Sequence, residues 1–396
     1  LDPEKVIALI TSDGGPQAHT AILARGLGLP AIVAAKGVTD IADGTVVYVD
    51  SNEGIVDTEP TDADREAAIK YANRKPVADF DGKGVLADGT RVELYANVGD
   101  GKSAEKAASL KAEGVGLLRT EFGFLGHDAE PSIETQAKTY KSVFDAFPGK
   151  HIVVRTLDAG ADKPLPFLNV NPEENPALGV RGFRTDWTVP GVLTRQLEAI
   201  KAASENSDAD IWVMAPMIST TSEARNFANM LKEIGLPVHG VMVETPAAVM
   251  NAEAILGEVD FVSIGTNDLT QYTMAADRLL GDLAHLNNPW QPAVLKMIKM
   301  TVEGAQRASV TAGKKKYVSV CGEAAADPAL AVVLIGLGVD TLSMNAGAIP
   351  AVAAVLKSVT KEKAQQIAAI ALQQISSAEA KESARKALPI LDELGL

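Results

Sequence analysis

Short apolar runs alternate with helical periodicities along most of this 396-residue chain. Positions 6–11 (VIALIT) form a continuous apolar run that reads as a buried strand. A glycine pair, Gly14-Gly15, leads from it into an Ala/Ile/Leu-rich helical pattern over about residues 18–27. The runs 31–34, 45–50 and 54–56, punctuated by Gly and Asp-Gly, read as further short strands. Together they predict a small mixed α/β unit over residues 1–59. Thr61-Asp62-Ala63-Asp64 then opens a polar helix that runs to about residue 74. Acidic residues in its first turn and basic ones later suit the helix dipole. Residues 60–84 therefore read as a connector between two bodies.

From about residue 85 the pattern changes. Strand-like runs fall at 92–98, 115–120, 152–157, 211–217, 241–244, 261–266, 317–320 and 341–344. Helical patterns follow most of them, for example at 104–112, 133–147, 222–234 and 328–337. About eight β-then-α units over residues 85–396 predict a (β/α)8 barrel of the TIM type. A doubly wound sheet shares the alternation, but the count and the placement of polar residues favour the barrel. Those residues cluster where the runs end. Arg119 and Glu121 end the second, Arg155 and Asp158 the third, and Glu244 the fifth; Asn267 and Asp268 end the sixth, Cys321 and Glu323 the seventh, and Asn345 the eighth. One charged residue at a strand end is ordinarily a satisfied loop residue. Several successive strands ending this way mark the face on which barrel active sites lie.

Charge narrows the choice of ligand. The net charge of -14 argues against nonspecific binding to nucleic acid or an anionic membrane. Any anion site must then be a local cluster of cations. No apolar stretch is long enough to insert into a membrane, and no signal peptide is evident. The single cysteine, Cys321, excludes an intrachain disulfide and fits a reducing cytoplasm. The length suggests two or three domains. The opening Leu1-Asp2-Pro3, without a methionine, leads us to expect a fragment of a longer chain.

The candidate chemistry follows from residue types. His19 stands at the start of a helical pattern, beside backbone N–H groups that attract anions. A lone histidine there is ordinarily a surface residue or a cap, whereas next to a phosphate-binding site it is a candidate phosphoryl acceptor. Arg119, Arg155, Arg181 and Arg278 lie on or after strand ends and offer planar forks for phosphate or carboxylate. Lys163 adds a point charge. A single arginine is as readily a surface ion pair; four together imply a multiply charged anion. Glu244 and Asp268 are candidate ligands for a hard divalent cation, with Glu323 weaker. The alternative, that each carboxylate only pairs with an arginine, stays open. Cys321 ends an apolar strand before Gly322, where a thiol can give a proton to an enolate carbon.

Seven motifs carry a resemblance: GGPQAHTAILAR at 14–25, GLLRTEF at 116–122, RTLDAGADKPLP at 155–166, NPALGVRGFR at 175–184, VETPAA at 243–248, GTNDLTQYTMAADR at 265–278 and CGEAAADP at 321–328. Over nearly its whole length the chain resembles the Enzyme I family of the bacterial phosphotransferase system, the phosphoenolpyruvate–protein phosphotransferases. The resemblance implies a partial, swivelling phosphohistidine domain ahead of a barrel that binds phosphoenolpyruvate and dimerises. It implies that His19 is phosphorylated, that Arg119, Arg155, Asn267, Arg278 and the Asn267–Asp268 backbone contact phosphoenolpyruvate, and that Lys163 and Arg181 belong to the same site. Glu244 and Asp268 match Mg2+ ligands, and Cys321 matches a proton donor. The implied partners are phosphoenolpyruvate, the histidine-containing phosphocarrier protein and a second copy of the chain; the implied location is cytoplasmic.

Two departures stand out. The family usually carries Ser or Thr before the histidine, where this chain has Ala18. The family's helical carrier-binding insertion is missing from the sequence, so onward transfer is expected to be impaired. Pyruvate phosphate dikinase and phosphoenolpyruvate synthase share the swivelling domain and barrel, but His-Thr-Ala-Ile after the glycines favours Enzyme I. A noncatalytic phosphoenolpyruvate sensor would have no need of a proton donor at Cys321.

Overall fold

The computed structural model describes residues 5–13, 24, 29–51, 54–72, 77–159, 165–168 and 172–396. Two compact units emerge. One comprises Leu1–Val77 together with Met274–Asn288 and Pro389–Leu396; the other comprises Ala78–Thr273 and Pro289–Leu388.

In the first unit, β1 (Leu9–Ile10) pairs in parallel with β2 (Ala31–Ile32), and β3 (Tyr48–Asp50) pairs antiparallel with β4 (Ile55–Asp57). The first three strands are shorter than the apolar runs that announced them, and the fourth matches its run in length but starts one residue later. Helix α1 (Asp62–Ala72) follows, its entry fixed by Asp64, which accepts from the Thr61 N–H and hydroxyl at 2.8 and 2.6 Å. The helix expected over about residues 18–27, with His19, lies outside the described residues except for the buried, helical Ala24.

The second unit is a closed barrel of eight parallel strands, which excludes the doubly wound sheet. They are β5 (Glu93–Val98), β6 (Gly114–Arg119), β7 (His151–Arg155), β8 (Asp210–Ala215), β9 (His239–Val243), β10 (Phe261–Ile264), β11 (Tyr317–Val320) and β12 (Thr341–Met344), in sequence order around the ring. The helices on the outside include α2 (Gly101–Ser109), α3 (Ile133–Phe144), α4 (Val192–Ser204), α5 (Thr221–Ile234), α6 (Pro246–Met250), α7 (Ala252–Glu258), α8 (Thr266–Met274), α9 (Pro292–Ala312), α10 (Pro328–Leu337), α11 (Ile349–Leu356) and α12 (Lys361–Leu372). Their starts are set by local chemistry. Asp100 and Ser103 form a reciprocal cap on α2, as do Thr220 and Glu223 on α5. Helix α10, apolar on all sides, is buried from Ala329 to Ile335.

Alternate strand residues point into the ring. Leu117, Val153, Met214, Met242, Phe261 and Cys321 pack there as one buried cluster. The barrel is therefore filled with side chains, and a ligand must sit at an end.

Candidate active site at the C-terminal ends of the strands

Strand order decides what meets at this end. Arg119 and Arg155 are the last residues of β6 and β7 and pair with each other in the ladder. Glu244 follows β9, and Asn267 and Asp268 lie in the first turn of α8, just after β10. Cys321 follows β11 and still donates its N–H to Ile264 O at 3.2 Å. A long connection after β7, with 3-10 turns at Pro176–Leu178 and Gly182–Trp187, brings Arg181 back to the same end.

The buried charges interlock. Arg155 Nη2 donates to both oxygens of Glu121 at 2.9 Å, and its Nη1 lies 3.5 Å from Asp158 Oδ2. Arg181 Nε and Nη2 donate to the two oxygens of Asp158 at 3.1 and 2.7 Å, while its Nη1 donates to Asp268 Oδ1 at 2.9 Å. Burial alone would lower the pKa of both guanidiniums. The surrounding carboxylates outweigh it and raise both: Glu121, Asp158 and Glu244 around Arg155, and Asp158, Asp268 and Glu244 around Arg181.

Glu244 is 1% exposed. Its Oε1 accepts the Met217 N–H at 2.6 Å. Met217 reaches that position with φ 59, a left-handed conformation costly for a residue with a side chain. Gly265 completes the cradle, since a Cβ there would stand 2.6 Å from Glu244 Oε2. Burial, then repulsion from Asp268 and Asp158, pushes the Glu244 carboxyl up to about 8. Burial also pushes the Cys321 thiol up to about 11, so it holds its proton at neutral pH.

Two atoms stand out in this lattice. Arg155 Nε and Glu244 Oε2 are buried and have no hydrogen-bond partner among the described residues. One is a donor attached to a cation and the other an acceptor on a carboxyl group, and such atoms are costly unless something meets them. An anion satisfies the first and a hard cation the second. Among the described residues no three His, Cys, Asp or Glu side chains converge as a closed metal cage. A cation here would thus take one or two carboxylates and leave its other positions to ligand oxygens or water, which suits Mg2+.

The candidates named from the sequence divide into three groups. Arg155, Arg181, Glu244 and Asp268 are joined by contacts and mutual electrostatics, and Glu244, Arg155 and Arg119 act on the Cys321 thiol through their charge. Arg119 and Asn267 are half-buried at the same strand ends, with Asn267 Oδ1 accepting the Glu323 N–H at 3.2 Å. Glu323 itself is exposed. Arg278 belongs to Met274–Asn288, the segment that groups with the first unit. His19 and Lys163 lie outside the described residues. Glu121 and Asp158 were visible as strand-end acids, but nothing in their spacing revealed that each grips an arginine. Met217 carried no signal, because its contribution is a backbone N–H.

Comparison with known proteins places the chain in a family. Residues 77–361 match the PEP-binding domain of the PEP-utilising enzymes, and residues 1–54 match their mobile domain. A phosphoenolpyruvate-protein phosphotransferase of Streptomyces coelicolor is 46% identical over 392 residues, covering 98% of this chain and 69% of the relative. One of Haloferax volcanii is 40% identical over 397 residues, covering 96% and 68%. A multiphosphoryl transfer protein of Xanthomonas campestris pv. campestris is 39% identical over 387 residues, covering 94% and 45%.

Proposed function

Because the chain belongs to the PEP-utilising enzymes, and among them to the phosphoenolpyruvate–protein phosphotransferases, we propose that it moves the phosphoryl group of phosphoenolpyruvate onto His19 and releases pyruvate. The observation that carries this reading is the pair of buried, unpartnered atoms, Arg155 Nε and Glu244 Oε2. A carboxylated phosphate ester bound together with a divalent cation supplies both missing partners at once.

Arg119 and Arg155 hold the phosphate and carboxylate groups, and Lys163, Arg181, Asn267 and Arg278 complete the substrate's contacts. Glu244 and Asp268 would hold Mg2+, which would offset the charge crowded onto the substrate and the acids. Neutral His19 attacks phosphorus in line; the N–P bond forms as the bond to the enol oxygen breaks. The enolate then takes the Cys321 proton at carbon and becomes pyruvate. The raised thiol pKa keeps that proton in place until the enolate forms. The phosphohistidine passes its group to the histidine-containing phosphocarrier protein. That partner and the barrel cannot share His19, so the histidine domain has to swing, with residues 60–84 as the hinge. Crosslinking the two domains is expected to block turnover while leaving substrate binding intact; normal turnover after crosslinking would refute the hinge. The resemblance also leads us to propose a cytoplasmic homodimer joined through the barrel.

The deciding experiment compares labelling by phosphoenolpyruvate and Mg2+ in this chain and in His19→Ala. Acid-labile label on the parent and none on the variant is expected. Equal labelling of both overturns the proposal.

A further inference from the structure

Behind the arginines lies a second polar assembly that belongs to none of the seven motifs' assigned roles. Gln196, in the second turn of α4, is 1% exposed. Its Oε1 accepts the Leu157 N–H at 2.8 Å. Its Nε2 donates to Thr120 Oγ1 and to the Tyr140 hydroxyl, both at 3.0 Å. Thr120 Oγ1 donates to Arg155 O at 2.9 Å. The Tyr140 hydroxyl donates to Gln136 Oε1 at 3.2 Å, and Gln136 Nε2 donates to Pro131 O at 2.9 Å. Thr120, Tyr140 and Gln136 are all at most 3% exposed.

The direction of every bond is fixed. Leu157 N–H can only donate, so Gln196 must turn its oxygen to it and its two N–H groups to the hydroxyls. The backbone carbonyls of Arg155 and Pro131 can only accept, which orients both hydroxyls and the Gln136 amide. A buried chain with no alternative arrangement is rigid. It also serves stability, since the Leu157 N–H is a backbone donor that no apolar replacement of Gln196 could satisfy.

Its attachment points show what it holds. The ladder between β6 and β7 ends at the pair Arg119–Arg155. Past that pair, Thr120 bonds back to the Arg155 carbonyl and Gln196 bonds forward to the Leu157 N–H. These contacts bracket Arg155, lie one residue from Arg119 and one residue from Asp158. We infer that Gln196 is a positioning residue for the anion site, fixing the ends of β6 and β7 so that the guanidiniums of Arg119 and Arg155 are aimed before substrate arrives. The inference rests on the proposed phosphoryl transfer and adds a residue to it.

The test reads the second-order rate constant for labelling by phosphoenolpyruvate and Mg2+, per folded molecule, in the whole 396-residue chain. If the parent chain is not labelled, the proposed function fails and this inference falls with it; if it is labelled, the variants decide. Gln196→Met should slow labelling about tenfold, and Thr120→Val several-fold, because small misplacements of binding groups are amplified at the reaction centre. In an Arg155→Lys background, where the aim of the guanidinium is already lost, Gln196→Met should change the rate by less than about twofold. A purely structural glutamine would lower the melting temperature but give the same factor in both backgrounds. That multiplicative result, or rates within about twofold of the parent for both single variants, overturns the inference. Should Gln196→Met fail to fold, the smaller Thr120→Val change, made with and without Arg155→Lys, decides it alone.

Discussion

The two ends of the same barrel solve opposite problems. At the N-terminal ends of the strands, Tyr95, His151, Trp212, Phe261 and Tyr317 close the ring, with the His151 and Trp212 centroids 4.1 Å apart edge-on and those of Trp212 and Phe261 5.0 Å apart. Polar groups there are paired toward water: Asp210 takes His151 Nδ1 at 3.3 Å and Trp212 Nε1 at 3.1 Å, and Asp260 takes Lys314 Nζ at 2.7 Å. At the C-terminal ends, four carboxylates and two guanidiniums are buried against one another, and Arg155 Nε and Glu244 Oε2 lack partners among the described residues. One end is paired through its own side chains; the other turns a buried donor and a buried acceptor toward the proposed ligand. Stability and function are thus separated along the barrel axis, which bears on how each end should respond to mutation.

The largest effect should come from Arg155→Met. It removes the substrate's proposed anchor and leaves Glu121 and Asp158 short of a counter-charge. Labelling by phosphoenolpyruvate should fall at least about a thousandfold, as when a charge-stabilising group is lost from an active site. Stripping one partner from a buried ion cluster should also cost about 3–5 kcal/mol of stability, readable by denaturant titration. At the other end, Trp212→Ala should cost about 3 kcal/mol through lost packing, yet leave the labelling rate per folded molecule unchanged. If Trp212→Ala slowed labelling as much as it destabilised the fold, the two ends would not be independent.

Glu244→Gln should invert the usual sign. The folded-state carboxyl is pushed up to about 8 from an ordinary 4.5, so the native protein holds a proton that the unfolded chain releases. Native stability therefore falls as pH rises from about 4.5 through 8, and glutamine escapes that loss. Without metal, the variant's melting temperature should exceed the parent's by a margin that widens between pH 5 and 8 and then levels. Its stabilisation by Mg2+ with phosphoenolpyruvate should disappear. A margin that stays flat with pH would mean the Glu244 environment is less hostile to charge than its burial indicates.

The same contrast explains what could be read from the sequence. The eight strands were legible because continuous apolar runs encode burial on both faces. Their ends were less so. Residues 211–217 read as one strand, yet the ladder stops at Ala215, because Met217 leaves it to give its N–H to Glu244. The strand-end charges were legible as a set, since charge at the end of an apolar run is conspicuous. Which acid faces which arginine was not: Arg181 meets Asp268 across 87 residues of sequence. Gln196, Thr120 and Tyr140 were invisible for a different reason. A glutamine or threonine in an amphipathic helix or at a strand end looks like surface until its partners are in view.

The smallest effect is also the most direct probe of the enclosed end. Free thiols ionise near 8.5, and the thiolate is the form that alkylates. With its pKa pushed up to about 11, Cys321 is thiolate in only about one molecule in ten thousand at pH 7. Its reaction with iodoacetamide should therefore be slow at neutral pH and rise about tenfold per pH unit, levelling only near 11. The plateau lies this high because burial disfavours the charged form more than Arg155 and Arg119 favour it. A chain unfolded in denaturant should level more than a unit earlier, with the difference reporting the folded environment alone. Phosphoenolpyruvate with Mg2+ should slow alkylation further by covering the thiol. A profile in the folded protein that levels below pH 9 would mean that the arginines, rather than burial, govern this end of the barrel, and the thiol would then be poorly suited to hold a proton for an enolate.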